Sequence, residues 1–306
     1  MLLQLFEQTL NGIQFGVMLF LIAAGLTLVF GIMNLINIAH GVLYMIGAYI
    51  CASVISITGS FWQGFLAAIV GALVVGVVIE VLVFRRLYYR THLDQVLATF
   101  GVTMFFNELV RIIWGPTAIY ASMPSFLAGH VEIIPGAPFP IYRLTIIGAG
   151  LAAGLALYLV ITYTRLGMLI RAGASNRAMI DALGVNIKLL YTVVFGIGAA
   201  LAGFAGLMAG PLLTVESGMG NDMLILALVV ITIGGVGSIR GALVASLMIG
   251  VIDAMGRSFL RPVFSSFLPQ TAADAAAPAI ASMLIYLTMA LVLIFRPQGL
   301  FPPVTR

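Results

Sequence analysis

Apolar runs close to the length of a bilayer crossing dominate the chain, and short polar or glycine-rich breaks separate them. A spanning helix needs about 20 apolar residues. Nine segments approach or reach that length: 10–30, 42–58, 62–84, 95–113, 144–164, 190–209, 223–238, 241–256 and 278–295. The short ones are expected as half-helices or re-entrant pieces, giving eight to ten transmembrane or re-entrant segments. The expected fold is all-α, a polytopic membrane helical bundle forming a single transmembrane domain over 1–306.

Three breaks stand out. The first lies within GLTLVFGIMNLINIAHG (25–41), where Asn34, Asn37 and His40 fall between apolar segments and Gly31 and Gly41 permit a bend. A polar group left unsatisfied in hydrocarbon costs several kcal/mol, and irregular backbone is tolerated at depth only when it is buried in protein or lines a wet path. Asn34, Asn37, His40 and Gly41 are therefore candidates for a translocation path; the alternative is an ordinary inner turn with its polar groups in water. The second break, Gly234-Gly235-Val236-Gly237-Ser238-Ile239-Arg240-Gly241, is expected as a tight turn between two short segments.

The third break is a polar, helix-prone stretch, 165–189. Leu169, Arg171, Ala172, Ala174, Arg177, Ala178, Met179, Ala182 and Leu183 are mostly good helix formers, and Gly184 is a natural stop. Ser175 or Asn176 is expected to cap a short helix with Met179, Ile180 and Leu183 on one face. Such an element suits a groove on a soluble partner, or lies on lipid headgroups.

The longer connections 114–143 and 257–277 carry Pro116, Pro124, Pro135, Pro138 and Pro140, and Pro262 and Pro269. Proline fixes φ and lacks a donor, so no long helix is expected in either. They cap the outer mouth, dock an external protein, or serve as plain loops.

Composition agrees with a membrane chain: 62% apolar and 8% charged, against roughly 25% charged in soluble domains. Cations are retained on the cytoplasmic side. With the N-terminus outside, ten lie inside (Arg85, Arg86, Arg90, Arg165, Arg171, Arg177, Lys188, Arg240, Arg296, Arg306) and four outside (Arg111, Arg143, Arg257, Arg261). The net charge of +4 thus reflects topology and implies no nucleic acid. No cation precedes Arg85, so the first segment is expected to remain as a span rather than be cleaved.

Glu80, Glu108 and Asp253 sit in apolar segments, with Arg85, Arg111 and Arg257 at helical spacing. Structural ion pairs are favoured over a proton relay. Cys51 is the sole cysteine, which excludes an internal disulfide and a cysteine metal site. The pairs Gly12/Gly16, Gly150/Gly154 and Gly206/Gly210 suit close helix packing. No P-loop, H-E-x-x-H or G-x-S-x-G motif occurs, so neither an enzyme nor a self-contained ATPase is expected.

GLTLVFGIMNLINIAHG (25–41), YMIGAY (44–49), LIRAGASNRAMIDALGVN (169–186), GGVGSIRGA (234–242) and FRPQGLF (295–301) resemble the first permease subunit of the branched-chain amino-acid ABC uptake systems. The resemblance implies a multi-pass permease of the bacterial inner membrane. Its implied partners are membrane lipid, a homologous second permease, two cytoplasmic ATPases that hydrolyse the ATP, and a periplasmic substrate-binding protein, with no cofactor on this chain. It also implies a coupling helix at about 171–186, with Arg171, Asn176, Ala182, Leu183, Gly184 and Val185 matching the pattern. Related permeases serve urea, short amides and aromatic acids, and the run LILALVVITI (224–233) lacks a basic residue expected of amino-acid members. A secondary carrier or channel is the reading from another class.

Overall fold

The computed structural model describes residues 2–33, 35, 37–88, 90–134 and 136–301. Eleven helices follow in chain order: α1 (Leu2–Met33), α2 (His40–Thr58), α3 (Phe61–Leu82), α4 (His92–Trp114), α5 (Ile141–Tyr163), α6 (Arg165–Ser175), α7 (Arg177–Ala182), α8 (Ile187–Ala209), α9 (Met219–Gly234), α10 (Ile239–Ser265) and α11 (Gln270–Phe295). Eight are long and apolar enough to cross a bilayer; α9 is a shorter apolar helix. Each of the nine expected segments thus falls largely on a helix, and 223–238 falls on the short one, α9, which ends at Gly234. The 241–256 segment instead belongs to a full-length helix.

α1 is the axis of the bundle. It packs against α5, α8, α9 and α10, and Val17 to Ala24 are almost wholly enclosed. Water cannot drive apolar faces together inside lipid, so close backbone approach has to hold such helices. A methyl group on Gly12 would sit 2.7 Å from the Val251 Cα, and one on Gly250 would sit 2.2 Å from the Gly12 carbonyl oxygen. Gly250→Val is therefore expected to lower stability by about 3 kcal/mol, at the upper end of overpacking costs. Gly148→Val, where nothing lies within 4 Å, is the control; thermal unfolding in detergent compares the two.

The outer helices α3, α4 and α11 expose Leu66, Val74, Phe105, Ile112, Met283 and Ile294. On a protein in water these would form an oversized apolar patch; in a bilayer they face the solvent that suits them.

Contacts sort the charged side chains into two ends. Arg85 meets Thr192, Arg177 lies over Tyr191 and Arg240 reaches Tyr158 at one end. Arg143 meets Asn11, and Arg261 meets Asp274, at the other. The first is the basic end. Cations and acids pair as expected: Arg85 with Glu80 at 3.4 Å, Arg111 with Glu108 at 3.3 Å and Arg257 with Asp253 at 2.9 Å.

The connections differ from expectation in one respect. Residues 257–277 are mostly helical: α10 runs through Pro262 to Ser265 and α11 starts at Gln270. Pro262 lies in the last turn of α10, where little helix remains to be broken. Pro269 precedes α11, and Pro278 is tolerated within it, as prolines in membrane helices are. The 114–143 connection does lack long helices. It holds a short turn, Ser125–Leu127, and an antiparallel hairpin of β1 (His130–Ile134) and β2 (Ala137–Pro140), with His130 opposite Pro140. Phe126 stacks on Trp62 with centroids 6.2 Å apart, and Ile119 bridges Val215.

Candidate translocation elbow and coupling loop

α1 ends at Met33, and α2 does not begin at the same level. A Cβ on Gly25 would lie 3.0 Å from His40 Nε2, yet Gly25 is about 12 Å back along α1 from its end at 1.5 Å per residue. At the end of α1, Gly31 faces Gly237 at the turn between α9 and α10. His40, the first residue of α2, therefore lies in the bundle interior rather than at the basic end where α1 stops. Gly41 fixes that start: a methyl there would lie 2.2 Å from the Gly220 carbonyl oxygen, so α2 and the first turn of α9 touch backbone to backbone.

Asn37 is 1% exposed and His40 is 0% exposed. Neither Asn37 side-chain atom, neither His40 ring nitrogen, the Thr27 hydroxyl nor the Tyr44 hydroxyl has a hydrogen-bond partner among the described residues. The imidazole faces the Ile22 backbone without reaching hydrogen-bond geometry. Asn34 lies outside the described residues. The inner-turn alternative, with these groups wet, does not hold for Asn37 and His40. They are enclosed by this chain, so in this conformation they lie behind the surface rather than along an open path.

The two sequence breaks meet. Gly237, at φ +83°, is beside Gly31, and the 295–301 motif clamps the same turn through Leu300 N–H to the Ile233 carbonyl (2.8 Å) and Phe301 N–H to the Gly234 carbonyl (3.0 Å).

The candidate coupling loop is two helices rather than one. Thr164 caps α6 by accepting from Gly167 N–H at 3.1 Å. Asn176 then breaks the helix at φ −152° and caps α7, its Oδ1 accepting from Met179 N–H at 3.0 Å. Of the two expected caps, Asn176 is the one used. Gly184 at φ +84° ends the element, with Gly184 N–H to the Asp181 carbonyl and Val185 N–H to the Ile180 carbonyl. Asn186 caps α8 in turn.

The three apolar residues of this element do not share a face. Ile180 is buried, whereas Met179 and Leu183 are exposed, as are Asn176, Ala182 and Gly184. Arg171 turns back: its guanidinium donates to the Ile161 and Thr162 carbonyls at the end of α5, where helical carbonyls otherwise lack partners. It anchors α6 to the end of α5 while remaining exposed.

Several supporting contacts left no trace in the linear pattern. Gly173 of α6 packs on Ile32, just before α1 ends. Arg177 of α7 lies 6.0 Å over the Tyr191 ring, which meets the Tyr88 ring edge-on at 5.0 Å. The Tyr88 hydroxyl donates to Glu80, a fully enclosed carboxylate that also receives Thr192 at 2.7 Å. Burial, followed by the hydrogen bond to Glu80, pushes the Tyr88 phenol far above its ordinary value, so it stays a neutral donor. Tyr88→Phe is expected to lower stability by about 2 kcal/mol, as for a hydrogen bond to a charged group, measured by thermal unfolding in detergent.

A family model described as the permease component of branched-chain amino acid transport systems matches residues 8–293. The chain belongs to that permease family. The permease is 31% identical over 271 residues to the high-affinity branched-chain amino acid transport system permease protein LivH of Escherichia coli K12, covering 83% of this chain and 86% of that one. It is 29% identical over 308 residues to BraD, the corresponding permease protein of Pseudomonas aeruginosa PAO1, covering 96% and 94%. The ribose import permease protein RbsC of Escherichia coli K12 is 26% identical over 242 residues, covering 76% and 72%. No solved structure matches the permease significantly. With its relatives named as transport permeases and eight helices able to cross a bilayer, it is a multi-pass protein of the inner membrane.

Proposed function

We propose that this permease forms the translocation path of an ATP-driven importer for branched-chain and other hydrophobic amino acids, together with a homologous second permease. Two cytoplasmic ATPases and a periplasmic substrate-binding protein complete the machine. Membership of the branched-chain permease family over residues 8–293 carries the reading. The basic end faces the cytoplasm, as the cation bias requires.

The mechanism is alternating access. α7 offers Met179 and Leu183 to a groove on an ATPase, the helix-in-groove mode of recognition. When the ATPases close on ATP they displace α6 and α7. α6 bears on Ile32 through Gly173, and the loop runs directly into α8, which packs on α1, α2 and α3. The displacement therefore reaches the end of α1 and the start of α2, at Asn37 and His40. The polar side chains there have no hydrogen bond to give up, because neither the Asn37 amide nor the His40 imidazole has a partner among the described residues. In the opened state their polar atoms face the passing substrate.

Gentle solubilisation of native membranes, affinity capture of the tagged permease and mass spectrometry test the assembly. ATPase subunits and a second permease are expected with it. A permease that comes out alone and still transports after reconstitution identifies a carrier or channel instead.

A further inference from the structure

The end opposite the basic one contains a cleft of about 550 Å³ between the start of α1, the start of α5 and the last turns of α10. Small-molecule sites are typically roughly 300–1,000 Å³. Its depth is ordered by the packing of α1 on α10: Gly12 sits on Val251, whereas Gln4 reaches Ser258 at 3.3 Å. Asn11, Phe15, Arg143 and Asp253 therefore lie toward the floor, and Gln4, Ser258 and Arg261 toward the mouth.

The charge there runs against the general trend. Positive residues are sparse at this end, with four arginines in all, yet Arg143, Arg257 and Arg261 line this one cleft. Two are neutralised: Arg257 Nε meets both Asp253 oxygens at 2.9 Å, and Arg261 Nε meets Asp274 at 2.6 Å. Arg143 has no carboxylate within ion-pair distance among the described residues; it donates instead to the neutral Asn11 side chain. A guanidinium held in place by an amide, in a partly enclosed cleft, is a preorganised receptor for a carboxylate.

The remaining lining narrows the ligand. The Asp253 oxygens, each taken by Arg257 Nε through one lone pair, have further lone pairs that an ammonium group can donate to, and Phe15, Ala254 and Pro262 supply apolar surface. Carboxylate, ammonium and apolar side chain together describe one class of molecule. We infer that this cleft is an entry subsite for a zwitterionic amino acid with an apolar side chain, its carboxylate on Arg143. The inference rests on the amino-acid importer reading.

Binding of L-leucine and of L-leucinol, which lacks the carboxylate, is measured by calorimetry on the whole complex in phosphatidylcholine nanodiscs without binding protein. Leucine is expected to bind at least about tenfold more tightly than leucinol, a gap of about 1.4 kcal/mol, and Arg143→Gln is expected to abolish the difference. Removing a cation from this end reinforces the topology, so the variant is expected to insert and unfold like the parent. Arg143→Lys keeps the charge and is expected to fall between the two. Equal leucine affinity in parent and Arg143→Gln, equal affinity for leucine and leucinol, or no leucine binding at millimolar concentration overturns the assignment. Displacement by inorganic phosphate with no preference for leucine marks a general anion site and overturns it too. ATP-driven leucine uptake by the full complex, measured in parallel, separates the two levels. Uptake with binding indifferent to Arg143 removes only the subsite, whereas an assembled complex with no ATP-driven uptake removes the importer reading.

Discussion

Gly184→Val is expected to reduce ATP-driven uptake by at least about tenfold while leaving the membrane bundle as stable as before. Gly184 holds φ at +84°, and a Cβ placed there meets nothing within 4 Å. The penalty is therefore one of backbone conformation, about 1–3 kcal/mol for a side chain forced into this region and most severe for a β-branched one. It falls on the turn that ends α7 and aims Leu183. If the turn relaxes, Met179 and Leu183 no longer project together, and the groove contact is lost. Gly184→Asn, which tolerates positive φ, is expected to retain most of the uptake. Proteoliposome uptake and thermal unfolding in detergent check both variants, and unchanged uptake by Gly184→Val removes α7 from the coupling role.

Asn37→Leu carries the second large effect, in the opposite pattern of stability and function. Burying an amide without partners costs about 1–3 kcal/mol, and replacing it by an apolar group of similar shape relieves that cost. Asn37 is 1% exposed, and both its side-chain polar atoms lack partners among the described residues. The leucine variant is accordingly expected to unfold at the same temperature or higher, and to assemble normally. Uptake is nonetheless expected to fall by about tenfold, because the amide serves a state other than the one seen here. A variant that transports like the parent shows that Asn37 has only a structural role.

Much of the bundle was legible because lipid imposes one rule, that every spanning backbone must satisfy itself as helix. Apolar run length alone located the spans, and short-range chemistry located the Asn176 cap and the Gly184 stop. The departure at 257–277 has a local cause: Pro262 and Pro269 stand at helix ends, where proline breaks little. The grouping of Met179, Ile180 and Leu183 on one face failed because Ile180 is buried, whereas Met179 and Leu183, four positions apart, are both exposed.

The elbow was half legible. Asn37 and His40 announced a break, but its depth depends on Gly25, Gly198, Gly220 and Gly237, brought together by tertiary packing from four helices or turns. The Glu80 network was equally hidden. Arg85 was readable as a partner from its spacing, whereas Thr192 comes from a helix more than 100 positions away. The outer cleft escaped for the same reason, since Asn11, Arg143 and Asp253 belong to three separate segments.

The central claim is that this permease moves its substrate through energy supplied by ATPases acting on α6 and α7. Its most direct test is accumulation of radiolabelled leucine in proteoliposomes holding the purified complex, with binding protein outside and ATP, or a non-hydrolysable analogue, inside. Accumulation above the external concentration with ATP, and none with the analogue, is the predicted result. Equal leucine entry under both conditions would contradict the account.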